Sequence, residues 1–590
     1  MYHSNGNYEA FATPAAAATP AGDAYIVGSG LAALAAAAFL VRDAGMPGER
    51  IHVLEADALP GGACDGLDVP GLGLVIRGGR EMEDHFECLW DLFRSVPSLD
   101  APGLSVLDEF YRLNKTDPNS SLMRTIRDRG HDGGTRGFGL SDAACRQIMT
   151  LFFTPEADLG TKTIADVLSD EVLDSNFWLY WRTMFAFQEW HSAAEMRRYL
   201  QRFIHHIQGL PDLSALKFTK YNQYESLIEP LVAYLRGHGV DFRFGVTVTD
   251  VRFDIGLGRK TARRLVCAID GREQAIDLCA DDLVFVTNGS NVDGSALGDK
   301  EHAPQVVVED GQGPSWQLWR AIAAQDPDDF GRPDVFCSDI AASRWESATL
   351  TTLDERVLPY LRAITGRDPL SGKVVTGGIV TVRDSSWLMS FTVNRQPHFR
   401  TQPDGQVAVW IYGLFTDVPG DYVRTPMAQC TGDEIAREWL FHLGVPTDQI
   451  DELAATGTRC VPCMMPYVTS YFMPRRLGDR PGVVPPGSTN FAFLGQFTEI
   501  PRDTVFTTEY SVRSAMEAVY TLCRVDRGVP EVFGSVYDVR VLLDAVVQLR
   551  DGRRVTDMAM PWWQRLLVKR ALKAASGTVL PKLLAEHGVI

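Results

Sequence analysis

Four glycines, an alanine and an acid stand at a spacing that can hold a dinucleotide. Tyr25-Ile-Val-Gly28-Ser-Gly30-Leu-Ala-Ala33 is followed by Arg50-Ile-His-Val-Leu-Glu55 and then by Gly61-Gly62. An apolar strand, a glycine turn, an alanine-rich helix and a second strand ending in an acid describe a βαβ unit. Gly28 permits the tight turn, Gly30 lets the backbone approach a pyrophosphate, and Ala33 replaces a third glycine where helix meets strand. The anion then rests on the helix N-terminus, where free amide groups and the dipole favour it. Glu55 is placed to hydrogen-bond a ribose hydroxyl, which favours FAD or NAD over a 2′-phosphorylated cofactor.

Other residues carry chemistry less plainly. Met196, Tyr199, Leu200, Phe203, Ile204 and Ile207 recur at helical spacing between Ala194 and Leu210. Tyr199 lies on the apolar face and Arg197, Arg198 and Gln201 on others, so the phenol is expected in an aliphatic setting with few charged neighbours. The alternation around Ser390, Thr392 and Asn394 puts these three on one face of a strand, and Arg395-Gln-Pro397 turns the chain into His398. Such a set could bind a carboxylate, or it could be a solvated face; alternation does not choose between them. Cys460 and Cys463 form a tempting pair, but no second Cys or His pair stands at zinc-site spacing, so no metal is expected.

These groups need a frame. The 590 residues suit three to four domains, and 45% hydrophobic content suits a globular enzyme. A net charge of -18 excludes nonspecific nucleic-acid binding. Ten cysteines without paired spacing indicate a reducing, cytoplasmic setting. Residues 24–41 carry no charge, but their strand-turn-helix punctuation argues against a membrane span, and the first 41 residues lack the Lys or Arg of a signal peptide. Residues 1–22 read as a disordered tail. The strands Val240-Asp-Phe-Arg-Phe-Gly-Val-Thr-Val248, Asp282-Leu-Val-Phe-Val-Thr-Asn288-Gly289 and Asn490-Phe-Ala-Phe-Leu-Gly495-Gln496 are expected to return to the nucleotide domain, making it discontinuous. Residues 561–590 hold five Lys or Arg and one acid, with Trp562 and Trp563 adjacent. That local +4 suits a helix on an anionic membrane surface, or a terminal helix packed on its own subunit or a partner.

Three further stretches are Arg77-Gly-Gly-Arg-Glu81-Met-Glu-Asp-His-Phe-Glu-Cys-Leu-Trp-Asp-Leu92, Lys220-Tyr-Asn-Gln223-Tyr-Glu-Ser226, and Phe493-Leu-Gly-Gln-Phe-Thr-Glu-Ile-Pro501 with Glu509-Tyr-Ser-Val-Arg513. With the opening motif they make the chain, from about residue 23 onward, resemble the bacterial oleate hydratases, the myosin-cross-reactive antigen family. The resemblance implies an α/β fold: a discontinuous Rossmann-like FAD-binding domain (23–149, 231–310 and 485–535), a helical lid (150–230), an inserted α+β substrate domain (311–484) and a C-terminal helical membrane-contact region (536–590). It implies addition of water to the cis-9 double bond of oleate, giving a 10-hydroxy fatty acid without net redox change, by a homodimer peripherally associated with membranes. Carried over by position, Glu81 and Tyr199 become catalytic. Gln223, Thr392, Asn394 and His398 take the substrate carboxylate. Arg77, Gly78, Gly79, Asn288, Gly289 and Gln496 join Gly28, Gly30, Ala33, Glu55, Gly61 and Gly62 around FAD. Thr504 and Cys64 depart from the residues expected at their positions.

Alternatives remain. Glu81 could be a structural partner of Arg77 or Arg80, and Tyr199 a core phenol. The chain could be a flavin-dependent fatty-acid isomerase, a redox flavoprotein, or a noncatalytic membrane-associated protein that binds flavin and lipid. A product of unchanged mass would mark the isomerase, and anaerobic bleaching of flavin by substrate the redox enzyme.

Overall fold

The apolar run Ala24–Val27 forms β1, the middle strand of a parallel sheet, which must be covered on both faces. It leads into α1 (Leu31–Arg42), buried from Leu31 through Leu40, and then β2 (Ile51–Glu55). β3 (Asp241–Phe244), β4 (Leu283–Thr287) and β5 (Phe491–Leu494) complete the sheet, and α2 (Thr508–Leu522) packs on α1. The order is β5-β4-β1-β2-β3, with every pair parallel. The chain therefore leaves this sheet and returns to it. A computed structural model describes residues 20–64, 66–79, 81–134, 137–305, 310–554 and 562–590, so most of the expected tail, 1–19, lies outside the described residues.

The single strand expected at 240–248 is two. Gly245, at φ +70°, breaks it, and Val246–Gly256 joins Arg259–Ile269 and Arg272–Asp277 in a separate antiparallel sheet. A third sheet has the order Ala296–Leu297, Thr458–Met465, Trp345–Thr352, Ala408–Gly413, Ser390–Thr392, Val380–Val382, Thr125–Arg127, His131–Asp132. Its pairs are antiparallel except for Thr125–Arg127 on Val380–Val382. Three of these strands come from outside 311–484, because pairing partners are set by the fold and not by sequence proximity.

This sheet has no solvent face where it matters. Phe391, Val409, Ile411, Ala348 and Leu350 enter an apolar core with Trp439 and Leu440 of the helix Gly432–His442. On the opposite face Ser390 sits across from Tyr412 and Thr392 across from Trp410, all buried. The solvated-face reading of Ser390 and Thr392 is thus excluded by burial.

The helical stretch expected through Leu210 ends as α-helix at Phe203 and tightens into a 3₁₀ turn, Ile204–Gly209. At the C-terminus stand the helices Val539–Leu549, Trp562–Ala574 and Leu580–Glu586. Leu566 and Leu567 are exposed; the side chains of Trp562 and Trp563 lie outside the described residues. No helix among the described residues is long and apolar enough to cross a membrane.

Candidate functional site

A cavity of about 410 Å³ opens at the C-terminal ends of the parallel strands, lined by Gly28, Gly30, Glu55, Gly61, Gly62, Arg77, Gly289 and Gln496. Gly28 takes φ +92° and donates to the Leu54 carbonyl at 2.8 Å. α1 begins after Gly30 with no side-chain cap and no acid in its first turn, leaving amide groups for an anion. A Cβ on Gly62, whose φ is +56°, would lie 3.0 Å from Gly30 Cα, so glycine is needed on both counts. The Glu55 carboxylate accepts from Ser29 N (2.7 Å), Ser29 Oγ (2.5 Å) and Asp57 N (2.9 Å), which fixes it at the strand end. Two expected contacts sit elsewhere. Ala33 is buried within α1, and Asn288 is a buried clasp donating to the Phe497 carbonyl at 3.2 Å. These features fit a dinucleotide. Gly62→Ala is expected to lower the fraction of chains purified with bound dinucleotide by about tenfold, because a left-handed alanine costs about 1–2 kcal/mol before its clash is counted. Absorbance of nucleotide released from purified protein checks this.

Beside that cavity lies a second of about 20 Å³, room for about one water molecule. Gly78, Gly79, Glu81, Thr183, Trp410 and Tyr412 line it, and Arg77 and Gln496 connect it to the dinucleotide cavity. A third, of about 70 Å³, is walled by Trp181, Met184, Phe185, Phe203, Ile207 and Leu213, with Glu81 at its rim. Glu81 therefore stands between a space for one water and an apolar space. Of its two suggested ion-pair partners, Arg77 donates to the Gly62 carbonyl at 2.8 Å and Arg80 lies outside the described residues.

Tyr199 is fully buried on the helix Ala193–Phe203. Its surroundings are aromatic rather than aliphatic: Phe185, Phe187 and Phe472 have ring centroids 5.1, 5.1 and 5.5 Å away. The expectation of few charged neighbours also fails. Arg198 is buried, bonded to Glu156 (2.7 Å) and Glu499 (2.6 Å), and Glu195, one turn before Tyr199, is held by Arg475 and Arg480. The Tyr199 hydroxyl accepts from Phe506 N at 2.9 Å, and no acceptor for its own proton stands among the described residues. Desolvation pushes its pKa well above the ordinary phenol value. Tyr199 lines none of these three cavities; Phe506 lines all of them.

The segments bearing the four carboxylate-binding candidates meet. Asn222 N donates to the His398 carbonyl at 2.9 Å, bringing Gln223 beside His398, while Thr392 and Asn394 lie on and just past the strand Ser390–Thr392. Thr392 Oγ1 and both ring nitrogens of His398 are buried without a hydrogen-bond partner. Such orphaned groups are costly unless something binds them. Burial pushes His398 down to about 4, so the ring is neutral at pH 7 and keeps one N–H to donate. Trp410, across from Thr392, is also a wall of the Glu81 cavity.

Sequence reasoning passed over Tyr412 and Arg124. Tyr412 lines the one-water cavity and donates to the Thr183 carbonyl. Arg124 is buried behind that wall, donating to Ile379 O (3.2 Å) and Thr183 Oγ1 (2.8 Å). An isolated arginine in a loop carries no spacing signal. Cys460 and Cys463, three apart on one strand, belong to different cores and do not form a pair.

A sequence profile of the MCRA family matches residues 21–520. The chain is 50% identical, over the full length of both, to an oleate hydratase of Streptococcus pyogenes serotype M49 (strain NZ131). It is 32% identical to a linoleate hydratase of Lactiplantibacillus plantarum, covering 84% of this chain and 93% of that protein. Among solved structures, a fatty acid isomerase from P. acnes aligns with 85% of this chain and 98% of its own at 13% identity and a TM-score of 0.46.

Proposed function

Since this chain belongs to the MCRA family, we propose that it hydrates the cis-9 double bond of oleate and similar unsaturated fatty acids to 10-hydroxy fatty acids, with no net redox change. The observation that carries this reading is the position of Glu81 between a one-water space and an apolar space, beside the dinucleotide cavity.

An isolated alkene is a weak base. Hydration needs a proton delivered to one carbon while an anion steadies the cationic character growing on the other and water attacks there. In our reading Tyr199 delivers the proton to C9, its hydroxyl already accepting from Phe506 N and so free to donate. Glu81 orients the water in its small cavity, takes its proton as the oxygen attacks C10, and opposes the developing charge in a site that excludes bulk water. As they stand the cavities are too small for a long acyl chain, so binding must move side chains aside, Phe506 foremost.

We assign FAD as the dinucleotide, held by the glycine turn, the α1 N-terminus and Glu55. When bound it would supply fixed dipoles and undergo no net redox change over the reaction. Gln223, Thr392, Asn394 and His398 fix the carboxylate, so distance along the sheet selects the double bond. His398→Ala is expected to raise KM for oleate about tenfold to a hundredfold with kcat little changed, the cost of one hydrogen bond to a charged group; an unchanged KM would remove His398 from the head-group site. The local +4 of the C-terminal helices supports docking on anionic membranes, and the homodimer rests on the family resemblance. The absence of paired cysteine spacing supports a cytoplasmic location.

The test is the product formed by purified protein, FAD and oleate in ¹⁸O-labelled water. One labelled water added, with fragments placing the hydroxyl at C10, is expected. Oleate returned unchanged with flavin in either redox state would defeat this reading.

A further inference from the structure

Under the apolar cavity, two residues past Glu81, the Glu83 carboxylate meets the imidazoles of His205 and His206 from the 3₁₀ turn Ile204–Gly209. We propose that these three residues bind one divalent cation of the zinc class.

Spacing is the first support. Nε2 of His206 lies 3.1 Å, and Nε2 of His205 3.6 Å, from the same carboxylate oxygen, Glu83 Oε2. Two ligands on a tetrahedral ion with bonds of about 2.0 Å are separated by about 3.3 Å. The longer distance is outside hydrogen-bond range, and His205 Nε2 is buried with no hydrogen-bond partner. Two imidazoles and one carboxylate, with positions left over, suit zinc and its neighbours rather than magnesium or calcium.

The surrounding groups are those a metal site uses to orient its ligands. His205 Nδ1 lies 3.2 Å from Ser535 Oγ, which leaves Nε2 for the ion. Arg202 pairs with the other Glu83 oxygen at 2.9 Å, and His85 N donates to Oε2 at 3.0 Å.

His206 is part-exposed and also lines the apolar cavity, which gives an ion access. The other such group, Asp421, Glu438 and His442, is different in kind. Hydrogen bonds and charge from Asp421 and Glu438 overcome burial and push His442 up to about 9, and Glu438 already accepts from the N–H groups of Asp421, Tyr422 and Val423. Glu438 is thus committed to three backbone donors and to His442, whereas Glu83 accepts from one backbone N–H beside the unpartnered Nε2 of His205. An ion at Glu83 would pin the segment that follows Glu81 to the 3₁₀ turn.

Calorimetric titration of Zn²⁺ into the full-length, flavin-loaded protein after chelator treatment tests this. One ion per chain with a micromolar or tighter Kd is expected, weakened at least tenfold in His206→Ala and lost in the double variant His205→Ala/His206→Ala. No binding, or binding unchanged in the double variant, overturns the proposal. If the double variant fails to fold, Co²⁺ added to the parent decides: visible bands of a four- or five-coordinate ion, displaced by Zn²⁺, are expected, and their absence overturns it.

Discussion

Glu81→Gln is expected to cut turnover of oleate by about three orders of magnitude while KM stays within about threefold. Glutamine keeps the size and hydrogen-bonding reach of the side chain but removes both the base and the negative charge. The carboxylate acts only as charge and proton move, so its loss falls on kcat. Steady-state kinetics, with flavin content and melting temperature as controls for folding, separate this from a structural defect. If Glu81→Gln turned over like the parent, or if its loss merely followed lost flavin, the catalytic assignment would be wrong.

Tyr199→Phe is expected to lower turnover by about a hundredfold to ten-thousandfold, the usual range for losing a positioned general acid. Phenylalanine preserves the ring packing against Phe185, Phe187 and Phe472. It does leave the Phe506 N–H without its acceptor, a cost of about 1–3 kcal/mol in stability. The two effects can be read apart. Thermal melting should show a folded protein at assay temperature, and the rate should remain low there. A variant whose activity recovers fully once it is assayed well below its melting transition would reduce Tyr199 to a core residue.

The nucleotide-binding half of this architecture is legible in the sequence because its constraints are local. A turn at φ +92° demands Gly28, and the doubly covered strands β1, β4 and β5 read as unbroken apolar runs. Gly245 was equally local, yet the alternating residues on either side of it hide a break in direction. The candidate site is different. Periodicity ranks the faces of one helix but does not say what other segments bring to them. Glu499 and Arg475 reach the helix of Tyr199 from sequence separations of 301 and 280 residues, so the ion cluster behind the phenol left no trace in the spacing around it. The alternation of Ser390, Thr392 and Asn394 gave the shared face but not its cover, which includes the helix Asn176–Phe185, to whose Thr183 carbonyl Tyr412 of that face donates. Tyr412 became visible only as a wall of a cavity, and Arg124 only as the buried donor behind it.

Phe506 joins two functions in one residue: its ring borders all three cavities, and its N–H holds the hydroxyl of Tyr199. Where a ligand that displaces this ring also moves the backbone behind it, linkage requires that the bond to Tyr199 and the affinity for that ligand change together, by the same factor. Occupancy of the chambers and the set of the phenol then become two readings of one equilibrium.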